Sequence, residues 1–192
     1  NIKSKVYAVD LFPAFLNQLK IRAKAEGLSD SIVTVQTSID QLNFPDNYFD
    51  LIWSEGAIYL MGFEKGIQEW KRFIKPGGYF AISEITWLTD TRPKEIEDHW
   101  NKEYPEIDTA SNKIKQLEEN GYTPMGYFVL PQYCWIENYY NPMEKRFDHF
   151  LGKHRYSNMA KNLVQAEKDE ITRYKKYRDY LSYGFYVAKK MQ

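Results

Sequence analysis

The feature that most constrains the fold is an alternation of short apolar strands with helical segments along the first 85 residues. Residues 5–10 (KVYAVD) and 31–37 (SIVTVQT) read as strands, and the segment between them begins at Pro13 with apolar residues at helical spacing. Two further strands are predicted over 49–54 (FDLIWS) and 79–85 (YFAISEI). Parallel neighbours in a sheet need long, usually helical connections. The sequence therefore predicts an α/β fold with a mostly parallel sheet flanked by helices.

A helix is predicted between the last two of these strands, and the hydrophobic pattern of the second half of the chain is less regular. Phe63, Ile67, Trp70 and Ile74 step along one helical face, and Lys75-Pro76-Gly77-Gly78 is expected to end that helix. Beyond residue 86 the pattern predicts helices over 93–104, 112–119 and 159–181, a strand over 127–130 and a last, antiparallel strand over 183–188.

Charge and cysteine content exclude several classes of function. The 26 basic and 26 acidic residues balance, so no net field favours a nucleic acid or an acidic membrane surface. Cys134 is the only cysteine and has no zinc-type spacing with the three histidines, so neither a disulfide nor a metal site is expected, and a cytoplasmic location fits. No apolar run approaches the ~20 residues that span a bilayer.

Three separated segments carry a family resemblance. They are Val9-Asp10 at the end of the first strand, residues 35–56 (VQTSIDQLNFPDNYFDLIWSEG) and residues 70–84 (WKRFIKPGGYFAISE). In this order they resemble the class I, Rossmann-like methyltransferases that use S-adenosylmethionine, in particular small-molecule methyltransferases. The resemblance is strong over residues 3–86 and weak afterwards. It implies one methyltransferase domain over 1–192, with a cofactor-binding core at 1–86 and a variable substrate or lid region at 87–192.

The resemblance also implies which residues hold the cofactor. Asp10 would bind the ribose hydroxyls, although an acid ahead of Pro13 also suits a helix N-terminus without any ligand. Relatives often have an aspartate for the adenine amino group where this chain has Ser38, so Asp40 is expected to supply that carboxylate. The full predicted set is Asp10, Leu11, Ser38, Ile39, Asp40 and Ser54, the last facing the methionine moiety.

The family's first strand and its Gly-x-Gly-x-Gly loop are expected upstream of residue 3. Those glycines let the backbone approach the cofactor. Gly77-Gly78 cannot replace them, because they follow the wrong helix. The sequence is therefore expected to be a partial one, truncated at its N-terminal side.

Three residues are candidates for work on the methyl acceptor. Glu55 lies beside the expected methyl site and would orient or deprotonate an acceptor, or simply bind backbone amides. Tyr59 would contribute a hydroxyl or a ring wall, or pack at a helix end. Glu84 is expected at the ligand-facing end of its strand, where acids also bind helix amides.

Two features of the second half have both a functional and a structural interpretation. His99 lies in the segment expected to cover the site, where it would either take part in catalysis or, as is more common for a histidine there, be a surface or interface residue. The aromatic stretch 122–140 would wall a pocket for a flat or cationic substrate, or serve lid packing and subunit contact in a homodimer.

Three functions remain open on the sequence. The first is methyl transfer from S-adenosylmethionine to a small molecule by in-line displacement. The second is a methyltransferase-like interaction protein without catalysis. The third is a nicotinamide-dependent oxidoreductase, which the FPDNYFDLIW and KPGG segments disfavour. The acceptor atom cannot be read from the chain, because fold alone does not specify it.

Overall fold

The computed structural model of the chain describes residues 4–191. By its internal contacts the chain divides into two compact units, Asn1–Tyr48 and Phe49–Gln192. Each unit has its own sheet. None of the described helices is both long enough and apolar enough to cross a membrane.

The first unit is a parallel strand–helix–strand arrangement. Its elements are β1 (Val6–Asp10), α1 (Pro13–Ala25), a 3-10 turn (Ser29–Ser31) and β2 (Ile32–Gln36). The two strands pair in parallel from Val6 opposite Ile32 to Asp10 opposite Gln36. Gly27 takes a φ of +68°, and the backbone N–H of Leu28 donates to the carbonyl of Ala23 at 2.8 Å, which ends α1.

The second unit contains a larger mixed sheet. Its elements are β3 (Phe49–Glu55), a 3-10 turn (Ile58–Leu60), α2 (Phe63–Lys71), β4 (Ile74–Trp87), α3 (Lys94–Glu103), β5 (Asp108–Thr109), α4 (Ala110–Glu119), β6 (Tyr122–Val129), α5 (Gln132–Trp135), a π-helix (Ile136–Tyr140), α6 (Asn141–Glu144), α7 (Phe147–Lys153), α8 (Asn158–Tyr177) and β7 (Leu181–Lys190). The strand order is β3-β4-β7-β6, and β5 pairs with β4. β3 and β5 run parallel to β4, whereas β7 is antiparallel to β4 and β6. The predicted α/β class with an antiparallel last strand is confirmed.

β4 is longer than the sequence predicts. α2 ends at Lys71, and Ile74 is already a strand residue opposite Phe49 of β3, so its assignment to the helical face was wrong. The Lys75–Gly78 segment lies inside the strand as a bulge, because Ile74 is opposite Phe49 and Tyr79 is opposite Leu51, and Gly77 takes a φ of +73° within it. The helix predicted to reach residue 181 likewise ends at Tyr177, because Leu181 already belongs to β7.

Aromatic side chains fill the core on one face of this sheet. Phe80 packs against Trp70 of α2 and against Tyr122, with ring centroids 6.0 and 5.8 Å apart. Phe63 lies edge-on to Tyr186. The helices α2 and α4 therefore cover the face of β4 that carries its even-numbered residues, including Glu84.

Candidate functional site

The first unit gathers one group of predicted site residues at the carboxyl edge of its sheet. Asp10 is the last residue of β1, and its Oδ1 accepts a hydrogen bond from the backbone N–H of Phe12 at 2.7 Å. The N–H of Thr37 donates to the carbonyl of Asp10 at 3.2 Å. Because β1 and β2 are parallel, the residues that follow each strand emerge at the same edge. Asp10 and the segment 38–40 therefore lie near each other.

The surroundings of Asp10 combine a polar turn with exposed apolar side chains. The carbonyl of Ser38 accepts from the N–H of Gln41 at 3.0 Å, which closes a turn containing Ile39 and Asp40. Leu11 is 55% exposed. A carboxylate beside an accessible apolar surface has the chemistry to hold both the hydroxyls of a sugar and the face of a planar ring.

The second unit places Ser54 and Glu55 at the carboxyl end of β3. Ser54 is buried, and its hydroxyl has no hydrogen-bond partner among the described residues. The Oε1 of Glu55 accepts from the indole N–H of Trp53 at 2.7 Å, so this side chain lies back along its own strand. Gly56 then turns the chain with a φ of +54° and donates its N–H to the hydroxyl of Ser83 at 2.9 Å.

A tyrosine that the sequence interpretation missed lies at the same strand end. The hydroxyl of Tyr183 is 3.2 Å from the position of a Cβ atom built on Gly56. The ring of Trp135 packs against the ring of Tyr183, with centroids 4.8 Å apart. Burial, followed by repulsion from Glu84, raises the pKa of Tyr183, so its phenol stays protonated and is a hydrogen-bond donor at neutral pH.

Tyr59 lies in the 3-10 turn that follows β3. Its ring packs edge-on against Tyr104, with centroids 6.2 Å apart, and 43% of the residue is exposed. Tyr59 is therefore packed on one side and open to solvent on the other.

Glu84 lies within β4, three residues before its end, and is fully buried. Its Oε1 is 3.8 Å from the Nζ of Lys113, which is also fully buried, and neither carboxylate oxygen has a hydrogen-bond partner among the described residues. Burial raises the pKa of Glu84 to about 7, against the opposing attraction of Lys113. Burial also lowers the pKa of Lys113, so desolvation outweighs the attraction on both sides of the pair.

Lys113 joins Glu84 to the start of α2. Its Nζ donates to the carbonyl of Glu106 at 2.8 Å and lies 4.4 Å from the ring centroid of Phe63. The carboxylate of Glu106 accepts from the N–H of Phe63, the first residue of α2, at 2.8 Å. The spacing of Lys113 and Leu117, which are both buried on one face of α4, was the only available signal for this lysine.

The aromatic stretch 122–140 is partly core. Tyr122 and Tyr140 are buried, and Trp135 stacks on Tyr174 at 4.9 Å between centroids. Tyr139 is about half exposed. His99 packs edge-on against Trp100, and burial lowers its pKa.

Comparison with known proteins finds similarity over the first part of the chain. Residues 1–82 match the model of the methyltransferase domain. A sterol 24-C-methyltransferase from Gibberella zeae is 39% identical over 69 residues, covering 35% of this chain and 18% of that protein. A demethylmenaquinone methyltransferase from Bacteroides fragilis is 31% identical over 83 residues, covering 43% and 34% respectively. The chain thus spans about a third or less of the length of these curated relatives.

A solved structure extends the likeness to nearly the whole chain. The methyltransferase from Thiobacillus denitrificans, crystallised with S-adenosyl-L-homocysteine, matches with a TM-score of 0.82 over 96% of this chain and 75% of that one. At 18% identity this likeness shows the fold alone. The chain thus matches the methyltransferase domain over residues 1–82 and shares the Rossmann-like fold of that solved methyltransferase.

Proposed function

We propose that this protein transfers a methyl group from S-adenosylmethionine to a small-molecule acceptor. The observation that carries the proposal is the position of Asp10, at the carboxyl edge of the parallel β1–β2 pair and within the segment that matches the methyltransferase domain. Relatives named for methylating sterols and demethylmenaquinone support a small molecule as acceptor. A homodimer, a cytoplasmic location and the absence of nucleic-acid or membrane partners stay predictions.

The residues around Asp10 suit the adenosine part of this cofactor. The carboxylate keeps one oxygen engaged by the N–H of Phe12, which orients the group toward a ribose. Leu11 and Ile39 offer apolar contact to adenine, while Ser38 and Asp40 supply polar atoms for its edge. The cofactor supplies the methyl group as part of a sulfonium ion.

Ser54, Glu55 and Tyr59 are proposed to face the reaction. Methyl transfer is an in-line displacement, so the main task of these residues is to align the acceptor and exclude water. Glu55 would orient the acceptor, and Tyr59 would form a wall or donate a hydrogen bond. A general base is needed only for an acceptor that starts protonated. Glu84, which is fully buried and whose pKa burial raises to about 7, is the proposed candidate for that base.

Calorimetric titration with S-adenosylhomocysteine tests the cofactor assignment. We expect binding to the full-length protein, and Asp10→Ala should weaken it about ten- to a hundred-fold, since hydrogen bonds to a charged acceptor are lost. Asp30→Ala is the matched control, because Asp30 lies in the 3-10 turn of the same unit and should leave the affinity unchanged. The absence of binding at high micromolar ligand would overturn the proposal, and an unchanged affinity in Asp10→Ala would remove the ribose role.

A further inference from the structure

An apolar groove in the second unit is lined by none of the residues proposed above to bind cofactor or acceptor. It has a cavity volume of about 390 Å³ and runs between the π-helix, α7 and α8. This volume is in the range of small-molecule sites in proteins. Its floor is formed by Phe147, Phe150, Leu163 and Val164, so the groove accepts a hydrocarbon chain.

The π-helix over residues 136–140 shapes one wall of the groove. A π-turn holds one more residue than an α-turn and occurs frequently at functional sites. Here it turns Tyr140 into the core, where its hydroxyl donates to Glu170 at 3.1 Å, and leaves the neighbouring Tyr139 about half exposed at the groove. An aromatic ring face beside an apolar floor is one of the surfaces that attract organic cations.

Glu167 is the carboxylate among the residues that line this groove. Glu167 lines the groove beside Tyr139, and the two influences on its carboxyl, burial and then repulsion from Glu170, both raise its pKa. The pKa of Tyr139 is raised by burial and then by the same two carboxylates. Partial burial next to a like charge makes Glu167 an incompletely compensated anion, and a cationic ligand would relieve that cost.

Basic side chains also border the groove, but their contacts are with groups other than Glu167. Arg146 donates its Nε to the carbonyl of Pro142 at 3.1 Å. The Nζ of Lys168 lies 5.9 Å from the ring centroid of Phe147. Within residues 4–191, neither forms an ion pair with Glu167. A cationic ligand can therefore pair with the carboxylate of Glu167.

We propose that this groove binds an organic cation that carries an apolar chain, with the chain against Phe147, Phe150 and Leu163 and the ammonium group at Glu167 beside the ring of Tyr139. The inference goes beyond the methyl-transfer proposal and does not depend on it, because no residue of the predicted cofactor site lines the groove.

Three probes with the same eight-carbon chain test the assignment by calorimetry on the full chain. They are octyltrimethylammonium, octanol and octanoate. We expect the cation to bind about five-fold more tightly than the neutral alcohol, from the carboxylate and ring contacts of its head group, and octanoate to bind most weakly. Equal affinities, or tightest binding of octanoate through Arg146 and Lys168, would overturn the proposal.

Two variants locate the binding. Glu167→Gln should bring the affinity for the cation down to that for octanol, whereas Asp169→Asn, the same charge change on the same helix, should not. Leu163→Asn alters a half-exposed floor residue and should weaken all probes several-fold without unfolding the protein. Unchanged binding in both Glu167→Gln and Leu163→Asn would place the probes elsewhere and overturn the proposal.

The same samples separate this inference from its alternatives. Affinity for S-adenosylhomocysteine should be equal in wild type and in both groove variants, so failure at the groove is distinguishable from failure of the cofactor assignment. Sedimentation velocity tests whether a second copy of the chain occupies the groove. A dimer that the octyl probes dissociate would show that a second copy of the chain covers the groove, which would overturn the small-ligand assignment.

Discussion

At the scale of single residues, Glu84 and Lys113 are the two charged side chains buried in the described part of the chain, and both carry a desolvation cost. Both side chains are fully buried, and their charged atoms are 3.8 Å apart. Desolvation shifts the pKa of each toward its neutral form, more strongly than their mutual attraction opposes it. Such a pair adds little net stability, although removal of one partner alone leaves the other buried without compensation.

This burial predicts how stability depends on pH. The carboxyl of Glu84 titrates near pH 4.5 in an unfolded chain and at about 7 in the folded one, so the folded state binds more protons between these values. The free energy of unfolding should therefore fall as pH rises through that window, by about 3 kcal/mol from this residue. Glu84→Gln should be less stable overall but lack that fall.

Urea unfolding at pH values from 4.5 to 8 measures the difference. Glu118→Gln, which alters an exposed acid on α4, should keep the wild-type dependence on pH. If wild type and Glu84→Gln show the same slope across the window, the carboxyl of Glu84 is not protonated on folding and this account of the pair is wrong.

At this scale, residues that follow neighbouring strands could be placed from the sequence, whereas residues brought together from distant parts of the chain could not. Asp10 and the turn at 38–40 directly follow strands, so the sequence alone placed them at one sheet edge, and the structure brings them together there. Lys113 and Tyr183 come from α4 and β7, and their positions depend on how those elements pack. No local pattern encodes that packing.

At the scale of elements, the start of α2 depends on a contact from a distant segment. Glu106 accepts the N–H of Phe63, and Gly62 precedes it with a φ of +89°. A Cβ on Gly62 would collide with the carboxylate of Glu106. The glycine therefore provides both the backbone conformation and the space that this helix cap requires.

Gly62→Ala should accordingly lower the free energy of unfolding by about 2 kcal/mol, because it combines a strained φ with loss of the cap. The control is Gly152→Ala in α7, where an added Cβ meets no atom within 4 Å and should stabilise by up to about 1 kcal/mol. Urea unfolding of both variants is the measurement. An unchanged midpoint for Gly62→Ala would show that the segment around Glu106 moves away at little cost.

Elements with a regular hydrophobic period were predictable, and those with irregular backbones were not. α3 and α4 lie within two residues of their predicted starts and ends, and α1 begins at Pro13 as predicted. The Lys75–Gly78 segment has the composition of a turn, yet it lies within β4 because the flanking residues Ile74 and Tyr79 both pair with β3. The π-helix carries no sequence period of its own, since it is a local widening of a helical stretch.

At the scale of the whole molecule, the order of strands in the second unit differs from their order in the chain. β7 comes last in sequence but lies between β4 and β6, and its Phe185, Tyr186 and Ala188 are buried. Pairings between such distant segments form late, because the intervening chain must first be ordered. The sheet of this unit is therefore complete only when the last ten to twelve residues are in place.

A chain that ends at Tyr180 should consequently fail to fold cooperatively. It leaves β4 and β6 without their shared neighbour and exposes several side chains whose burial contributes about 1.5–3 kcal/mol each, which together approach the 5–15 kcal/mol of a typical domain. A chain that ends at Lys190 keeps all of β7 and is the control. Thermal unfolding followed by circular dichroism should be sharp for the control and broad for the shorter chain. A sharp transition in the shorter chain would mean that the remaining strands and helices form a stable core without β7.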